Sequence, residues 1–329
     1  MDADSTVLVT GGAGYIGSHV ALALIDAGRR VVILDNLTTG RRAAAPPQAQ
    51  FVEGDAGDRE LVAKIIAAHG VGAAMHFAGS IVVPESVARP LDYYRNNTAV
   101  SMNLIQACVA AGVGRMIFSS TAAVYGMPDA LPVFEDAPTR PINPYGSSKL
   151  MTEWMLRDAA AAYGLRYVAL RYFNVSGADP AGRSGQATRS PSHLLEIAAQ
   201  AATGRRDGMQ IYGDDYPTPD GTCVRDYIHV SDLAAAHLAA LAYLEAGGDS
   251  QTLNCGYGRG YSVREVLAAV ERVLGRPLAA TMSGRRAGDP AALVAGATRI
   301  RQVLNWAPRY DDLDVIVATA LAWERRRKQ

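Results

Sequence analysis

Neither sign of charge is in excess. The 329 residues carry 32 Lys and Arg against 32 Asp and Glu, a formal net charge of zero. A nucleic-acid binder would show a basic excess or stripe. The densest basic run, residues 325–328, reads instead as a solvated helix end, where the helix dipole favours cations. Near-neutrality also removes long-range repulsion between copies, so self-association is permitted. Cysteine is scarce. Cys108, Cys223 and Cys255 are odd in number and match no metal or redox spacing, so reduced thiols in the cytoplasm and no metal site are expected. No apolar run reaches membrane-spanning length and no leader pattern precedes the first predicted strand, so neither a membrane span nor export is expected. Repeats and low-complexity tracts are absent too. What the chain has is apolar content, 49%, enough for a large core. The length suits two domains, or one enlarged α/β domain with an appendage.

Residues 6–17 read TVLVTGGAGYIG. An apolar, β-branched run leads into Gly11, Gly14 and Gly17, and a helix-like run follows at once. Gly12, Gly14 and Gly17 give an overlapping G-x-G-x-x-G match. The pattern predicts a strand, a tight turn and a helix that aims free N–H groups at a phosphate. Gly11 and Gly12 are available for backbone angles closed to other residues, and Gly17 lets the helix approach the strand. Asp35 ends the next apolar run, where a carboxylate accepts the hydroxyls of an adenosine ribose and repels a 2′-phosphate. That favours NAD over NADP, although Arg41 and Arg42 follow closely. A helix cap or turn is the alternative role for Asp35.

Residues 51–55 form a third predicted strand, ending in Asp55, an acid available to the adenine. A helix follows over 61–69. The strand over 73–79 leaves through Ala78-Gly79, with room for a flat ligand. A long helix is predicted over 91–111, with Asn96 and Asn97 inside it at some cost in propensity. The pair serves either contacts to a cofactor or the sheet, or a plain surface. A strand beginning at 114 runs into the hydroxyl-rich residues 119–125. A helix spans 145–163, and a sixth strand, 165–172, ends in Phe173-Asn174. This alternation argues for a Rossmann-type doubly wound parallel sheet.

After Asn174 the texture changes. Residues 177–192 are aperiodic, and a helix is predicted over 193–204. A polar loop covers 212–221 and a strand 223–230. Ser231-Asp232 is placed to cap a helix running to 244. A short strand over 252–255 precedes a helix over 262–274, whose Ser262 and Glu265 form a capping box. Arg285, Arg286 and Asp289 lie in an irregular stretch before helices at 297–304 and 313–327. The expected division is a dinucleotide-binding domain of 1–174 and about 230–256. A smaller mixed α/β substrate domain takes 175–229 and about 257–329.

The chemistry is most legible in Tyr145, Lys149 and Thr121. Tyr145 and Lys149 share a helix face. An unperturbed tyrosine is a poor base at neutral pH, and a nearby ammonium favours its phenolate. Such a tyrosinate takes a proton from a substrate hydroxyl while hydride leaves the carbon for a nicotinamide. Thr121 hydrogen-bonds the same oxygen, either relaying the proton or orienting the substrate. Together these make a carbinol oxidation site.

The chain resembles the UDP-glucose 4-epimerase (UDP-galactose 4-epimerase) family of extended short-chain dehydrogenases/reductases, from Val7 almost to its end. The resemblance rests on TGGAGYIGSH (10–19), LDN (34–36), EGD (53–55), HFAG (76–79), ESV (85–87), FSSTAAVYG (118–126), PYGSSKL (144–150), LRYFN (170–174), GRRDG (204–208), GDDYPTPDGTCVRDYIHV (213–230) and RRAGD (285–289). It implies a tightly held NAD and reversible 4-epimerisation of UDP-galactose and UDP-glucose through a 4-keto sugar, commonly in a homodimer. Tyr145 is then the base, Lys149 its activator and a ribose ligand, and Thr121 the hydroxyl partner. The cofactor residues implied are Gly11, Gly14, Tyr15, Ile16, Gly17, Asp35, Asn36, Asp55, Ala56, Phe77, Ala78, Gly79, Asn96 and Phe173, with the three catalytic residues. The substrate residues implied are Asn174, His193, Leu194, Tyr212, Arg225, Arg286, Asp289 and Leu293, with Thr121 and Tyr145. Arginine suits diphosphate oxygens by charge and fork geometry.

Three positions depart from the family pattern. Ile81 replaces a lysine near the nicotinamide end, and His193 replaces an asparagine beside the sugar or diphosphate. Leu293 stands at the position that gates sugar size, intermediate between an excluding tyrosine and an admitting small residue. It points to limited N-acetylhexosamine activity. Alternatives are a 4-epimerase of another nucleotide sugar (UDP-N-acetylhexosamine or UDP-xylose/UDP-arabinose), a nucleotide-sugar dehydratase or reductase, and a non-catalytic dinucleotide-binding protein. Ala122 and Ala123 leave out the acid/base pair that a 4,6-dehydratase needs.

Overall fold

Apolar runs four to seven residues long become strands β1 (Thr6–Thr10), β2 (Val31–Asp35), β3 (Gln50–Glu53), β4 (Val71–His76), β5 (Arg115–Thr121) and β6 (Arg166–Tyr172) in the computed structural model, which describes residues 5–188, 191–286 and 289–328. Shorter strands follow: β7 (Asn174–Ser176), β8 (Met209–Tyr212), β9 (Val224–His229), β10 (Gln251–Cys255), β11 (Gly260–Ser262), β12 (Ala280–Ser283) and β13 (Ala292–Leu293). Seven of them make one sheet in the order β10-β6-β5-β4-β1-β2-β3. Every pairing in it is parallel. This is the Rossmann-type sheet that the alternation of strands and helices predicts. β1 and β2 are buried at every residue, as a sheet covered on both faces requires. Val7, Val9, Ile33, Met75 and Ile117 face one core, and Leu8, Val32, Leu34, Ala74 and Met116 face the other. The first core runs on into Leu195, Val266, Ile300, Trp306 and Leu321 of the C-terminal elements.

The chain winds outward from β1 to β3, then returns to β4 on the other side of β1. That reversal opens a crevice at the carboxyl ends of β1 and β4, where open α/β sheets take ligands. Beyond β6 the strands are short. β9 is the centre of a second sheet, paired with β7, β11 and β13, while β8 and β12 pair in parallel. Apart from β9, these small strands escape the sequence reading, because two to four residues carry too little periodicity.

Several local features differ from expectation. The long helix predicted over 91–111 is Pro90–Tyr93, a π-helical turn at Tyr94–Ala99, then Val100–Ala110. The helix Val230–Glu245 is capped by the His229 imidazole, which accepts from the Ser231 N–H, and not by Ser231-Asp232. Asp232 is buried instead and accepts from the Tyr257 hydroxyl and the N–H groups of Arg309 and Tyr310. Gly11 has φ of +72°, but Gly12 does not take a left-handed angle; a Cβ there would lie 2.8 Å from Ile33. The basic C-terminal run is not merely solvated, since Arg326 and Arg327 donate to the carbonyls of Ala181 and Gln186. Ser262 and Glu265 do form the capping box. Among the described residues no helix is long and apolar enough to cross a membrane.

Candidate active site

The crevice begins at Gly11. A side chain there would sit 2.5 Å from the Ala78 N, and one at Gly17 would sit 2.3 Å from the Gly11 carbonyl. Only glycine lets the loop after β1 pass this close to the exit of β4 and to its own helix. The helix Tyr15–Asp26 has Gly14 as its N-cap and no side-chain cap. Its first N–H groups, on Tyr15, Ile16 and Gly17, thus lack intrahelical partners and face an anion well. Asp35, buried at the tip of β2, accepts from the N–H of Ala13 at 2.9 Å and of Leu37 at 2.8 Å. Its carboxylate is thereby pinned against the glycine loop. Arg42 lies over the Phe51 ring at 4.1 Å. Asp55 accepts from Asn36 Nδ2 and the Gly57 N–H next to buried Ala56, and Phe77 packs on His237. These residues fit a dinucleotide with free ribose hydroxyls: a close-approach loop, a helix end for the diphosphate and a fixed acceptor.

The two asparagines have a definite role. Asn97 is buried; its Oδ1 accepts from the Ser80 N–H, and its Nδ2 reaches the Ser80 carbonyl and the Ser148 hydroxyl at 2.9 and 3.0 Å. Asn96 donates to the Ser80 hydroxyl. The π-helical turn presents both side chains to the segment after Gly79, as such turns often do at functional sites. The sequence reading singles out both asparagines and assigns a cofactor contact to Asn96; the structure ties both to Ser80. Ile81, one residue past Ser80, is exposed.

Thr121 ends β5, and Tyr145 and Lys149 lie on the first turns of the helix Pro144–Tyr163. Asn143 caps that helix by accepting from the Gly146 N–H, and Pro144 opens it. The Thr121 hydroxyl accepts from the Ala123 N–H at 3.1 Å and lies beside the Tyr145 phenol. The buried Lys149 ammonium donates to the Ser119 carbonyl at 2.9 Å and lies 4.9 Å from the Phe118 ring centroid. Burial pushes the Tyr145 phenol above its ordinary range, with the Thr121 hydroxyl pulling the other way. Burial also lowers Lys149 to about 8. The two side chains share a face, but Lys149 is tied to β5 and does not offset the burial of Tyr145. His76, at the end of β4, is held neutral by burial and by the Lys149 charge.

The second group surrounds β9. Register places Leu293 of β13 opposite Arg225 and Asn174 of β7 opposite Tyr227. Arg225 donates to the Val224 carbonyl at 2.9 Å and lies 4.0 Å from Asp289. Arg286 stacks on the Tyr212 ring at 4.1 Å. Asp226, fully buried, accepts from the N–H groups of Tyr257 and Gly258, and burial raises it to about 6. Phe173 lies between β6 and β7, its N–H donating to the Cys255 carbonyl. His193 precedes the helix Leu194–Ala202 and meets Gln186 through Nδ1 at 2.5 Å; burial lowers it. Among the described residues no cluster of three or more His, Cys, Asp or Glu could hold a metal ion.

Residues 7–256 match the NAD dependent epimerase/dehydratase family. A UDP-glucose 4-epimerase of Azospirillum brasilense is 62% identical over 327 residues, covering 99% of this chain and 94% of that protein. The crystal structure of UDP-glucose 4-epimerase from Brucella ovis in complex with NAD has a TM-score of 0.94 at 47% identity, covering 97% of this chain and 98% of that one. UDP-glucose 4-epimerase from Bifidobacterium longum in complex with NAD+ and UDP has a TM-score of 0.93 at 38% identity, covering 98% and 99%.

Proposed function

The chain belongs to the NAD dependent epimerase/dehydratase family, and we propose that it interconverts UDP-galactose and UDP-glucose through a transient 4-keto sugar. The observation that carries this reading is the convergence of the Tyr145 phenol, the Thr121 hydroxyl beside it and buried Lys149 at the end of the sheet whose first turn fits a dinucleotide. Bound NAD supplies the acceptor and donor of hydride. Tyr145 takes the proton of the sugar 4-hydroxyl and returns it after the sugar has turned. Thr121 holds the phenol and the reacting oxygen together. The Lys149 charge favours the phenolate once a substrate fills the site. Arg225 and Arg286 hold diphosphate oxygens, and Asn174, His193, Leu194, Tyr212 and Asp289 complete the grip on the nucleotide sugar. Leu293, buried opposite Arg225, limits the room for an N-acetyl group.

The dinucleotide domain of 1–174 and about 230–256, and the substrate domain built from the rest, meet at this site. The enzyme works in the cytoplasm as a homodimer. Leu91 (78% exposed), Met102 and Trp154 put large apolar side chains in solvent on neighbouring helices, and near-zero net charge allows two copies to approach. Sedimentation velocity of wild type and a Leu91→Glu/Trp154→Glu variant tests the pairing: a monomeric wild type would overturn it. The activity is tested by incubating purified protein with UDP-galactose and no added cofactor. The expected result is UDP-glucose, with NAD released only on denaturation. No conversion even with added NAD would overturn the reading.

A further inference from the structure

Lys149 is not the only residue of its helix that grips β5. One turn beyond Lys149, the buried carboxylate of Glu153 accepts from the Ser120 hydroxyl at 2.5 Å. Two successive residues of β5 are therefore held from one helix, Ser119 by Lys149 and Ser120 by Glu153, and Tyr145 of the same helix stands beside the next residue, Thr121. Glu153 is itself fixed from β6. Arg171 donates to it through Nε at 3.0 Å and Nη2 at 2.7 Å, a two-point fork with both side chains under a tenth exposed. Arg171 is anchored in turn, donating to the Tyr125 hydroxyl at 2.8 Å, and Tyr125 donates to Asn254 of β10.

We propose that Glu153, oriented by Arg171, is a positioning residue for the reaction: it sets how the helix Pro144–Tyr163 sits on β5, and hence the contacts of Tyr145 with Thr121 and of Lys149 with Ser119. A buried ion pair adds little stability over an apolar filling of the same space, because desolvating both charges offsets their attraction. What the fork adds is a fixed orientation. Small displacements of a reacting group are costly in rate, on the order of 100-fold for about 1 Å. Glu153 touches neither reacting oxygen, so it acts through the helix.

The inference rests on the epimerase reading, and wild-type turnover of UDP-galactose in the same assay tests that reading by itself. Glu153→Gln and Ser120→Ala are compared with wild type as NAD-loaded full chains. Ser120→Ala leaves the Arg171 pair intact and no charge bare, so it remains informative where Glu153→Gln fails to fold. The expected result is a kcat lowered by ~10-fold in Glu153→Gln and ~3-fold in Ser120→Ala. KM and NAD content should stay close to wild type, and the alkaline limb of the kcat profile should move as Tyr145 and Lys149 change their footing on β5. A kcat and alkaline limb unchanged per bound NAD would overturn the proposal. A loss of thermal stability alone would do the same, leaving the pair a purely structural one.

Discussion

The residues expected at the cofactor and those expected at the nucleotide sugar are delivered in different ways. Around the seven-stranded sheet, Gly11, Asp35, Asp55, Phe77, Thr121 and Phe173 each fall within a few residues of a strand's carboxyl end. Around β9, the expected residues come from short pieces as distant as Asn174 and Leu293, joined only by pairing with that strand. The first region holds its polar groups by backbone hydrogen bonds, as Asp35 shows. The second relies on arginines set against a carboxylate or a ring. A pocket built from parallel strand ends is thus prepared by the core beneath it. A pocket built from arginine side chains depends on charge, which salt and ligand oxygens compete for.

The strongest test of that contrast lies where the two regions meet. Tyr145→Phe removes the oxygen proposed to transfer the proton and should lower kcat by ~100-fold or more, with NAD content and UDP affinity kept. A loss below about tenfold in steady-state kinetics would point to another base. Next in size, Arg225→Gln should weaken UDP binding by about 10- to 100-fold in calorimetry, the range for a lost charged hydrogen bond, without releasing NAD. Release of NAD by this change would break the division between the two regions.

The Lys149 charge separates activity from stability. With its value lowered to about 8, Lys149 loses its proton above that pH, so kcat should fall on the alkaline side. Over the same range the unfolded chain, with an ordinary lysine, holds more protons than the folded one, so this group raises stability as pH increases. Activity falling while thermal stability does not is the expected pattern, and Lys149→Met should abolish that limb in whatever activity remains. Smallest of all, Leu293→Ala should raise kcat/KM for UDP-N-acetylhexosamines by ~10-fold and leave UDP-galactose nearly unchanged, as pocket volume discriminates modestly. Comparable wild-type kcat/KM for both sugar pairs would remove Leu293 as the gate.

Much of this was open to reading from the chain. The apolar runs of β1, β2 and β4 are long enough to announce buried parallel strands; β1 is followed at once by Gly11-Gly12, and β4, after Phe77, by Ala78-Gly79. The capping box at Ser262 is a local hydrogen-bond pattern, so spacing alone identifies it. Asn97 illustrates the opposite case. Two asparagines in a helix signal an unusual demand, but that both bond Ser80, and that Asn97 also reaches Ser148, is set by the π-helical turn and by segments distant in the chain. The cap of Val230–Glu245 is His229 because the helix starts at Val230, which puts Asp232 inside its first turn, where it accepts from the distant Arg309 and Tyr310.

The amino-acid sequence by itself determined the parallel sheet, the glycine turn, the acid at its second strand and the Tyr145–Lys149 spacing. The last three depend on residues close enough in the chain to interact through one helix turn or one strand end, and the sheet is announced by the alternation of its apolar runs with helices. Tertiary structure alone decided that Lys149 leans on the Ser119 carbonyl and that Glu153 and Arg171 fasten the helix Pro144–Tyr163 to β5 and β6. It alone brought Leu293 opposite Arg225. Those contacts join segments far apart in sequence, and they become favourable only after the core has met the entropy of bringing those segments together.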